Sequence, residues 1–225
     1  MNKNTIYGVV LVVGVVIVAI LFLNKSKEPV ETVVSGGTIV QTNIAPGTYT
    51  VVDGVDVVAW SAGKTFIKGY VDTGAVSLSD GSITVNDEGN LTGTFVANTT
   101  TIHAVSTGVG KGEDMLTNHL QSADFLDVAT HPTATFSIKT LSTNEDATEL
   151  IAAGDLTVKG ITKEVSFPVQ IENEDGVVHI TAQTSIDRTQ WGIVYASGSV
   201  FDNLADKTID DNVKISVDVR LEATN

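Results

Sequence analysis

His119, Asp124 and Asp127 are the side chains of this sequence whose types and spacing could support catalysis. A histidine close to a carboxylate can move a proton, so one hypothesis is a hydrolase or metal-dependent enzyme that uses His119 with Asp124 or Asp127. Two other interpretations of His119 remain open. It could contact the head of a bound ligand, or it could be a core histidine satisfied by a backbone carbonyl.

Motifs that would specify an enzyme are missing from the sequence. It has no cysteine, no G-x-S-x-G and no H-E-x-x-H, and its four histidines show no metal-ligand spacing on one element. Gly63-Lys64-Thr65 resembles the end of a phosphate loop, but Val58 stands where that loop requires glycine. The sequence therefore favours a protein that is not an enzyme and has no cofactor or metal.

One short amphipathic helix, which includes His119, interrupts a chain of strand signals. Its apolar face has helical spacing, and it needs a sheet to lie against because nothing nearby in sequence offers another apolar surface. A turn with an aromatic residue and a half-buried strand from Pro132 follow. The residues predicted on that helix face are Met115, Leu116, His119, Leu120 and Ala123.

The rest of the body, from Gly47 onward, has the pattern of antiparallel strands. The stretch 213–221 alternates strictly between apolar and polar residues, and Asp53-Gly54, Asp80-Gly81 and Lys159-Gly160 are predicted breaks or turns between strands. Seven or eight such strands close most easily as a barrel, because closure removes exposed edges. A barrel of this size can be filled by side chains or can hold one small ligand.

Three stretches of the sequence also carry a family resemblance. They are HLQSADFLDVATHPTATFSI at 119–138, GDLTVKGITKEVSFPV at 154–169 and IDRTQWGI at 186–193. These closely resemble the YceI-like family of polyisoprenoid-binding, lipocalin-like barrels, and weaker similarity reaches back to about Thr48. The resemblance implies an all-β, lipocalin-like antiparallel β-barrel whose apolar lumen holds a long-chain isoprenoid or similar fatty amphiphile.

The resemblance and the strand faces together give a predicted set of lipid-binding residues. Seven large aromatic residues suggest a lining at one end of the barrel, although each could simply be part of a core. The filled-core alternative would make the protein a structural or adhesion domain. The predicted lipid-binding residues are Trp60, Phe66, Phe95, Met115, Leu116, His119, Leu120, Phe125, Phe136, Ile138, Phe167, Trp191 and Phe201.

Residues 6–23 form an uncharged apolar run of 18 residues, which would span about 27 Å as a helix and so match a bilayer core. A cleaved signal peptide is the competing interpretation, but the run is longer than a usual signal-peptide core and no A-x-A site follows it. We predict a transmembrane signal-anchor in 1–23, a polar linker in 24–46 and the barrel domain in 47–225.

The lysines that flank the apolar run do not set its orientation. We expect a single-pass protein of the cell membrane with its barrel outside the cytoplasm, because a signal-anchor commonly leads an exported domain and the resembled family is typically exported. The chain has 27 acidic and 13 basic residues, a formal charge of −14. Such an acidic protein should not seek nucleic acid or an anionic bilayer surface by charge.

Overall fold

The computed structural model describes residues 42–52 and 57–224, which fold into an antiparallel β-barrel with one α-helix. The helix, α1, spans Glu113–Gln121, and short 3₁₀ turns span Arg188–Trp191 and Ala205–Lys207. The strands are β1 Gly47–Val51, β2 Val57–Gly63, β3 Val71–Val85, β4 Leu91–Ser106, β5 Thr133–Thr143, β6 Leu150–Val158, β7 Ile161–Glu174, β8 Val177–Asp187 and β9 Asn212–Ala223.

The barrel has eight strand positions, because β1 and β2 share one of them. Both lie between β3 and β9: β1 pairs with Ser82–Val85 and Leu221–Ala223, whereas β2 pairs with Val71–Ser77 and Lys214–Asp218. From β3 to β9 each strand pairs with the next along the chain, and the pairings of β2 with β3 and β9 close the ring. The antiparallel barrel with one short helix, which the sequence predicted, is confirmed.

The connections between strands sort onto two ends of the barrel, which we call the mouth end and the closed end. The mouth end carries 64–70, 107–132 (with α1), 159–160 and 188–211. The closed end carries 86–90, 144–149 and 175–176. The long connections, including the helix and both 3₁₀ turns, therefore all belong to the mouth end.

Side chains fill the barrel at its closed end. The buried residues there include Ile83, Val85, Val178 and Leu221, whose side chains are almost fully excluded from solvent. The incoming segment 42–46 packs on the same end, where Ile44 joins the core. Tyr49 is buried beside it and donates its hydroxyl hydrogen to the carbonyl oxygen of Ala45 at 2.9 Å.

Helix α1 covers a strand edge that would otherwise be open. β4 pairs with β5 as far as Asn98, and the Thr99 N–H still donates to the Pro132 carbonyl, but beyond Thr99 the backbone has no paired strand on that side. Side chains of α1 form hydrogen bonds with the backbone of this part of β4 in place of a neighbouring strand. The Ala104 N–H donates to Thr117 Oγ1 at 2.9 Å, and Gln121 Nε2 donates to the carbonyls of Thr100 and Ile102, each at 3.2 Å.

The predicted apolar face of the helix is correct only in part. Leu116 and Leu120 pack against the buried Trp60 and Ile102, as the spacing predicted. Met115 is 75 % exposed and points away from that contact, and Ala123 lies beyond the helix. The helix turns the side bearing Leu116, Thr117 and Leu120 toward the barrel, because Thr117 bonds to β4.

Two of the predicted turns can be compared with the structure. Lys159-Gly160 joins β6 to β7 with φ values of 50° and 73°, which is the two-residue hairpin expected from the sequence. Asp80-Gly81 is not a turn: β3 continues through it, with a register shift against β4 between Leu78 and Asp80. A Cβ on Gly81 would lie 2.8 Å from Phe95 Cδ1, so the glycine makes room for an aromatic ring.

The predicted anchor 1–23 and residues 24–41 of the predicted linker lie outside the described residues, as does Asp53-Gly54. Within 42–52 and 57–224, α1 is too short to cross a membrane, and no other helix there is long and apolar enough to do so.

Candidate functional site

The mouth-end half of the barrel is hollow. Its cavity has a volume of about 300 Å³, which lies within the range of small-molecule sites, and its surface is almost entirely carbon. Among the described residues at its wall, Arg188 alone is charged. The cavity can therefore accept an apolar group and offers little to a charged one.

Small side chains on the inner face of the barrel leave this space open. Inward positions on five different strands carry alanine, where a large residue would fill the lumen. On β6, Gly154 lies so close to β5 that a Cβ there would come within 2.0 Å of the Ser137 carbonyl oxygen. The lining alanines are Ala62, Ala97, Ala134, Ala152 and Ala182.

Most of the predicted lipid-binding residues come together at this cavity. Eight of them lie on its wall: Trp60, Phe95, Leu120, Phe125, Phe136, Ile138, Phe167 and Trp191. Leu116 packs behind the wall against the Trp60 cluster, and His119 lies against Phe125. Phe66, Met115 and Phe201 are exposed and do not line the cavity. Contact between any of these residues and a lipid stays a prediction.

Several wall residues were not among the predicted ones, although the alternation of the last strands pointed to them. Val213, Ile215, Val217 and Val219 lie on the inner face of β9, which the sequence identified as an apolar face. Arg188 and Ile193 also lie on the wall and were not among the predicted lipid-binding residues. No sequence signal distinguished the inward residues of the hollow half from those of the filled half.

Two pairs of contacts hold the aromatic wall in place. The rings of Phe136 and Phe167 lie 5.1 Å apart at an angle of 39°, and β6 with its Gly154 runs between their strands. Trp60 lies close against β3, where a Cβ on Gly74 would come within 2.4 Å of the indole. Glycine at position 74 therefore allows the indole of Trp60 to approach the sheet closely.

Trp60 also carries an unpaired polar atom. The side chain is only 8 % exposed, and its Nε1 has no hydrogen-bond partner among the described residues. Burying a donor without a partner costs free energy, so most native structures avoid it. The indole of Trp191 differs, because its Nε1 donates to the Leu156 carbonyl at 3.1 Å.

Arg188 holds together the long mouth connection 188–211. It is 3 % exposed, and burial lowers the pKa of its guanidinium while the nearby Asp211 opposes that shift. Its Nε, Nη1 and Nη2 atoms make five hydrogen bonds, which matches the five N–H donors of the group. The acceptors are the carbonyls of Ile193, Tyr195, Ile209 and Asp210 at 2.8, 2.9, 3.2 and 3.1 Å, and Asp211 Oδ1 at 3.3 Å.

His119 and Asp124 form a hydrogen-bonded pair at the mouth. The distance from His119 Nε2 to Asp124 Oδ2 is 3.1 Å, and the imidazole meets the rings of Phe125 and Tyr195 edge-on at 4.8 and 4.6 Å. His119 thus supports Phe125 from behind, while Phe125 faces the cavity. Asp127 shapes the loop, since its carbonyl accepts from the N–H groups of Thr130 and His131.

No group of three histidine or acidic residues in the described part of the chain is placed to bind a metal ion. The described residues instead form an apolar cavity that lies inside the barrel next to the mouth-end connections. Polar groups near that mouth, including those of Arg188, are largely engaged in hydrogen bonds within the protein. Such a site can hold a hydrocarbon chain by burial alone.

Comparison with known families matches residues 49–221 to the YceI-like domain. The chain is similar to Protein YceI of Escherichia coli O157:H7, with 45 % identity over 53 residues, 24 % of this chain and 27 % of that protein. It is also similar to a UPF0312 protein of Pseudomonas aeruginosa strain LESB58, with 35 % identity over 92 residues, 41 % of this chain and 44 % of that protein. These matches span less than half of either relative.

Two solved structures share the fold. Burkholderia cenocepacia BcnA is 16 % identical with a TM-score of 0.59, and the match covers 76 % of this chain and 98 % of BcnA. A polyisoprenoid binding domain from Saccharophagus degradans is 12 % identical with a TM-score of 0.55, over 80 % of this chain and 100 % of that domain. At these identities the likeness shows the fold alone.

Proposed function

Because the chain belongs to the YceI-like domain family, we propose that it is a membrane-tethered carrier that holds one long-chain isoprenoid or similar amphiphilic lipid. The observation that carries this proposal is the cavity of about 300 Å³ with a carbon wall. A binding role is also in keeping with the polyisoprenoid binding domain that shares the fold.

The residues of the cavity wall favour one orientation of the amphiphile as it enters the barrel. Arg188 is the one charged side chain that the described residues bring to the cavity, and its five hydrogen bonds within the protein leave it no donor for a ligand head group. The hydrocarbon end of the amphiphile would therefore enter first. Its polar head would remain at the mouth, where water is available to solvate it.

Burial of hydrocarbon is a sufficient driving force for such a complex. Each methylene group removed from water contributes about 0.8 kcal/mol, so ten of them contribute about 8 kcal/mol before the cost of immobilising the ligand. No catalytic group is required for binding of this kind.

The proposed tether is the apolar run at residues 6–23, which has the length of a membrane span. It would keep the barrel near the lipids that it carries. We place the barrel on the extracytoplasmic side, as expected for a domain that follows a signal-anchor.

The carrier proposal is tested by identifying what the barrel holds. We expect the body expressed without residues 1–30 to carry a long-chain amphiphile in molar proportion, as measured by native mass spectrometry and by analysis of extracted lipid. Phe136→Trp adds volume to the lumen and should shorten or evict that lipid while the fold survives. Thr94→Trp, on the outer face of β4 next to β5, is the matched control and should keep the lipid.

The opposite pair of results would favour a filled interior. If the wild type holds no lipid and Phe136→Trp loses about 1–3 kcal/mol of unfolding free energy through overpacking, the carrier proposal is wrong. The melting temperature and the lipid content therefore have to be measured together, for the wild type and for Phe136→Trp.

A further inference from the structure

Large hydrophobic side chains are exposed at only one end of the described barrel. Ten such side chains are exposed, and all of them lie in mouth-end connections or on the strand ends beside them. Phe66 is 69 % and Met115 is 75 % exposed. The others are Ile67, Val71, Val105, Val109, Ile161, Tyr195, Val200 and Phe201. Exposed apolar residues concentrated in this way usually mark an interaction site.

Charged residues are divided between the same two ends. The closed-end connections 86–90, 144–149 and 175–176 contain six acidic residues and no lysine or arginine. The mouth-end connections contain lysines at 64, 68, 111, 159 and 207 among their acidic residues. The closed end is therefore repelled by any anionic surface, whereas the charge of the mouth end is close to balanced.

We propose that the mouth end docks onto the surface of a lipid bilayer through a mouth ring formed by Phe66, Ile67, Val109, Met115, Val200 and Phe201. This inference rests on the proposed carrier function, since docking would open the cavity toward the bilayer that supplies its amphiphile. The ring residues come from three separate connections, and apolar tips of this kind can enter the headgroup region without a shape-matched partner.

The occupant is a bilayer because the ring leads into a cavity for hydrocarbon. Phe201 and Tyr195 line one surface depression together with Asp124 and Lys159. Tyr195 lies 5.5 Å from Phe125, whose ring forms part of the cavity wall. Aromatic side chains thus lie next to one another from that depression to the cavity wall. Lysines beside the ring can keep their ammonium groups in the headgroup region while their stems lie along apolar surface.

The test places a fluorescent reporter at each end of the full-length chain in phosphatidylcholine vesicles. The chain has no cysteine, so Met115→Cys and Asp146→Cys each give a single labelling site, one at the mouth and one at the closed end. We expect spin-labelled lipids to quench the label at position 115 several-fold more than the label at position 146. Equal quenching at both positions, or stronger quenching at 146, would overturn the docking proposal.

A second measurement uses a variant with an altered ring. The double variant Val109→Glu and Val200→Glu changes residues that do not line the cavity. We expect the full-length double variant to keep its bound amphiphile. It should exchange that amphiphile with acceptor vesicles at least about tenfold more slowly than the wild type, a change that corresponds to 1.4 kcal/mol. The control is Thr92→Glu with Thr140→Glu, two exposed barrel positions, and should exchange at the wild-type rate.

The two proposals fail in different ways. An amphiphile in the purified protein without quenching at position 115 overturns the docking and leaves the carrier function standing. Quenching at 115 in a protein that contains no amphiphile supports docking and overturns the carrier function. Efficient cross-linking between two Met115→Cys chains in the absence of vesicles would show that a second copy covers the ring, which overturns docking to a bilayer.

Discussion

Arg188 is the single side chain on which the mouth depends most. Its planar guanidinium reaches five acceptors that are spread over residues 193–211, so one group sets the path of that whole connection. A lysine ammonium has only three donors on one atom and cannot reach all of them. The acceptors that it cannot reach would lose their partners, and the carbonyl of Ile193 is bonded in a buried place.

We therefore expect Arg188→Lys to lower the free energy of unfolding by about 3 kcal/mol, since each buried group left without a partner costs about 1–3 kcal/mol. Urea denaturation of both proteins measures the difference. Lys207→Gln, on the exposed surface of the same connection, is the control and should change stability little. A loss below about 1 kcal/mol for Arg188→Lys would show that the mouth does not depend on this hydrogen-bond set.

His119 allows the binding and enzyme hypotheses to be separated. Its ring packs edge-on against Phe125 and Tyr195, and a phenyl ring could replace that packing but not its hydrogen bond to Asp124. We expect His119→Phe to retain the bound amphiphile at the wild-type ratio, and His119→Ala to lose part of it because Phe125 loses its support. Lipid content by mass spectrometry gives both values.

The enzyme hypothesis predicts another result for the same variants. If His119 transfers protons with Asp124, His119→Phe and His119→Ala should abolish hydrolysis of a chromogenic ester or lipid ester to the same extent. Turnover by the wild type that both variants lose would support catalysis and contradict a purely supporting role for the imidazole.

The types of the site residues could be predicted better than their positions. Alternation and the aromatic content identified the inward Phe95, Phe136 and Phe167, because one face of a strand must be buried. These two signals could not show that Phe66 and Phe201 are exposed and do not line the cavity. Both residues lie in mouth-end connections, where side chains do not alternate between two faces. The orphan Trp60 Nε1 depends on contacts between distant strands, which no local pattern records.

At the scale of elements, α1 combines two roles. Leu116 and Leu120 pack on the Trp60 cluster, and polar side chains of the same helix complete the hydrogen bonding of β4. The helical period predicted the apolar contact. It placed Met115 on the packed side as well, because the sequence alone did not show that Thr117 bonds to the edge of β4.

Leu120→Asp tests the apolar contact of this helix. Leu120 lies on the cavity wall, so a carboxylate there would be buried among hydrocarbon groups without a partner, which is costly. We expect a lower melting temperature and loss of the bound amphiphile. Asn118→Asp, on the exposed side of the same helix, should change neither. If Leu120→Asp matches the wild type in both measurements, α1 does not pack as described.

The long strand β3 shows where a local signal is overruled. Asp-Gly favours a tight turn, yet Asp80-Gly81 lies inside a strand that pairs along its length with β4. Gly81 is required there because Val51 Cγ1 and Phe95 Cδ1 would lie 2.7 and 2.8 Å from a Cβ. Packing between strands, which the sequence does not show, decides the conformation of this dipeptide.

Over the whole molecule, the barrel is divided into a filled half and a hollow half. The sequence predicted a closed barrel and left open whether its lumen was filled, because alternation records the direction of a side chain and not the volume left around it. The structure shows that both descriptions apply, one at each end. The exposed large hydrophobic residues lie at the hollow end, which is where we propose that the protein meets the lipid.

The path of the chain constrains how a tethered barrel could dock. The described chain begins at the closed end, where the Thr42 N–H donates to the Gly89 carbonyl at 2.9 Å. β4, with 16 residues, runs from that end to the mouth and, with the usual strand tilt, rises about 40 Å. The 18 residues of 24–41 can span at most about 60 Å when extended. If residues 6–23 are the membrane anchor, as proposed, a linker of this length is long enough for the mouth to face the bilayer.

Deleting residues 25–34 should therefore prevent docking of the mouth without releasing the protein from the membrane. The remaining eight residues between the anchor and Thr42 reach at most about 27 Å, which is less than the height of the barrel. In phosphatidylcholine vesicles we expect the label at Met115→Cys to lose its quenching by spin-labelled lipids, while the protein still floats with the vesicles. Replacing 25–34 with a glycine-serine segment of equal length should leave the quenching intact. Quenching that survives the deletion would show that the tether does not limit docking, and the proposed arrangement of anchor, linker and mouth would be wrong.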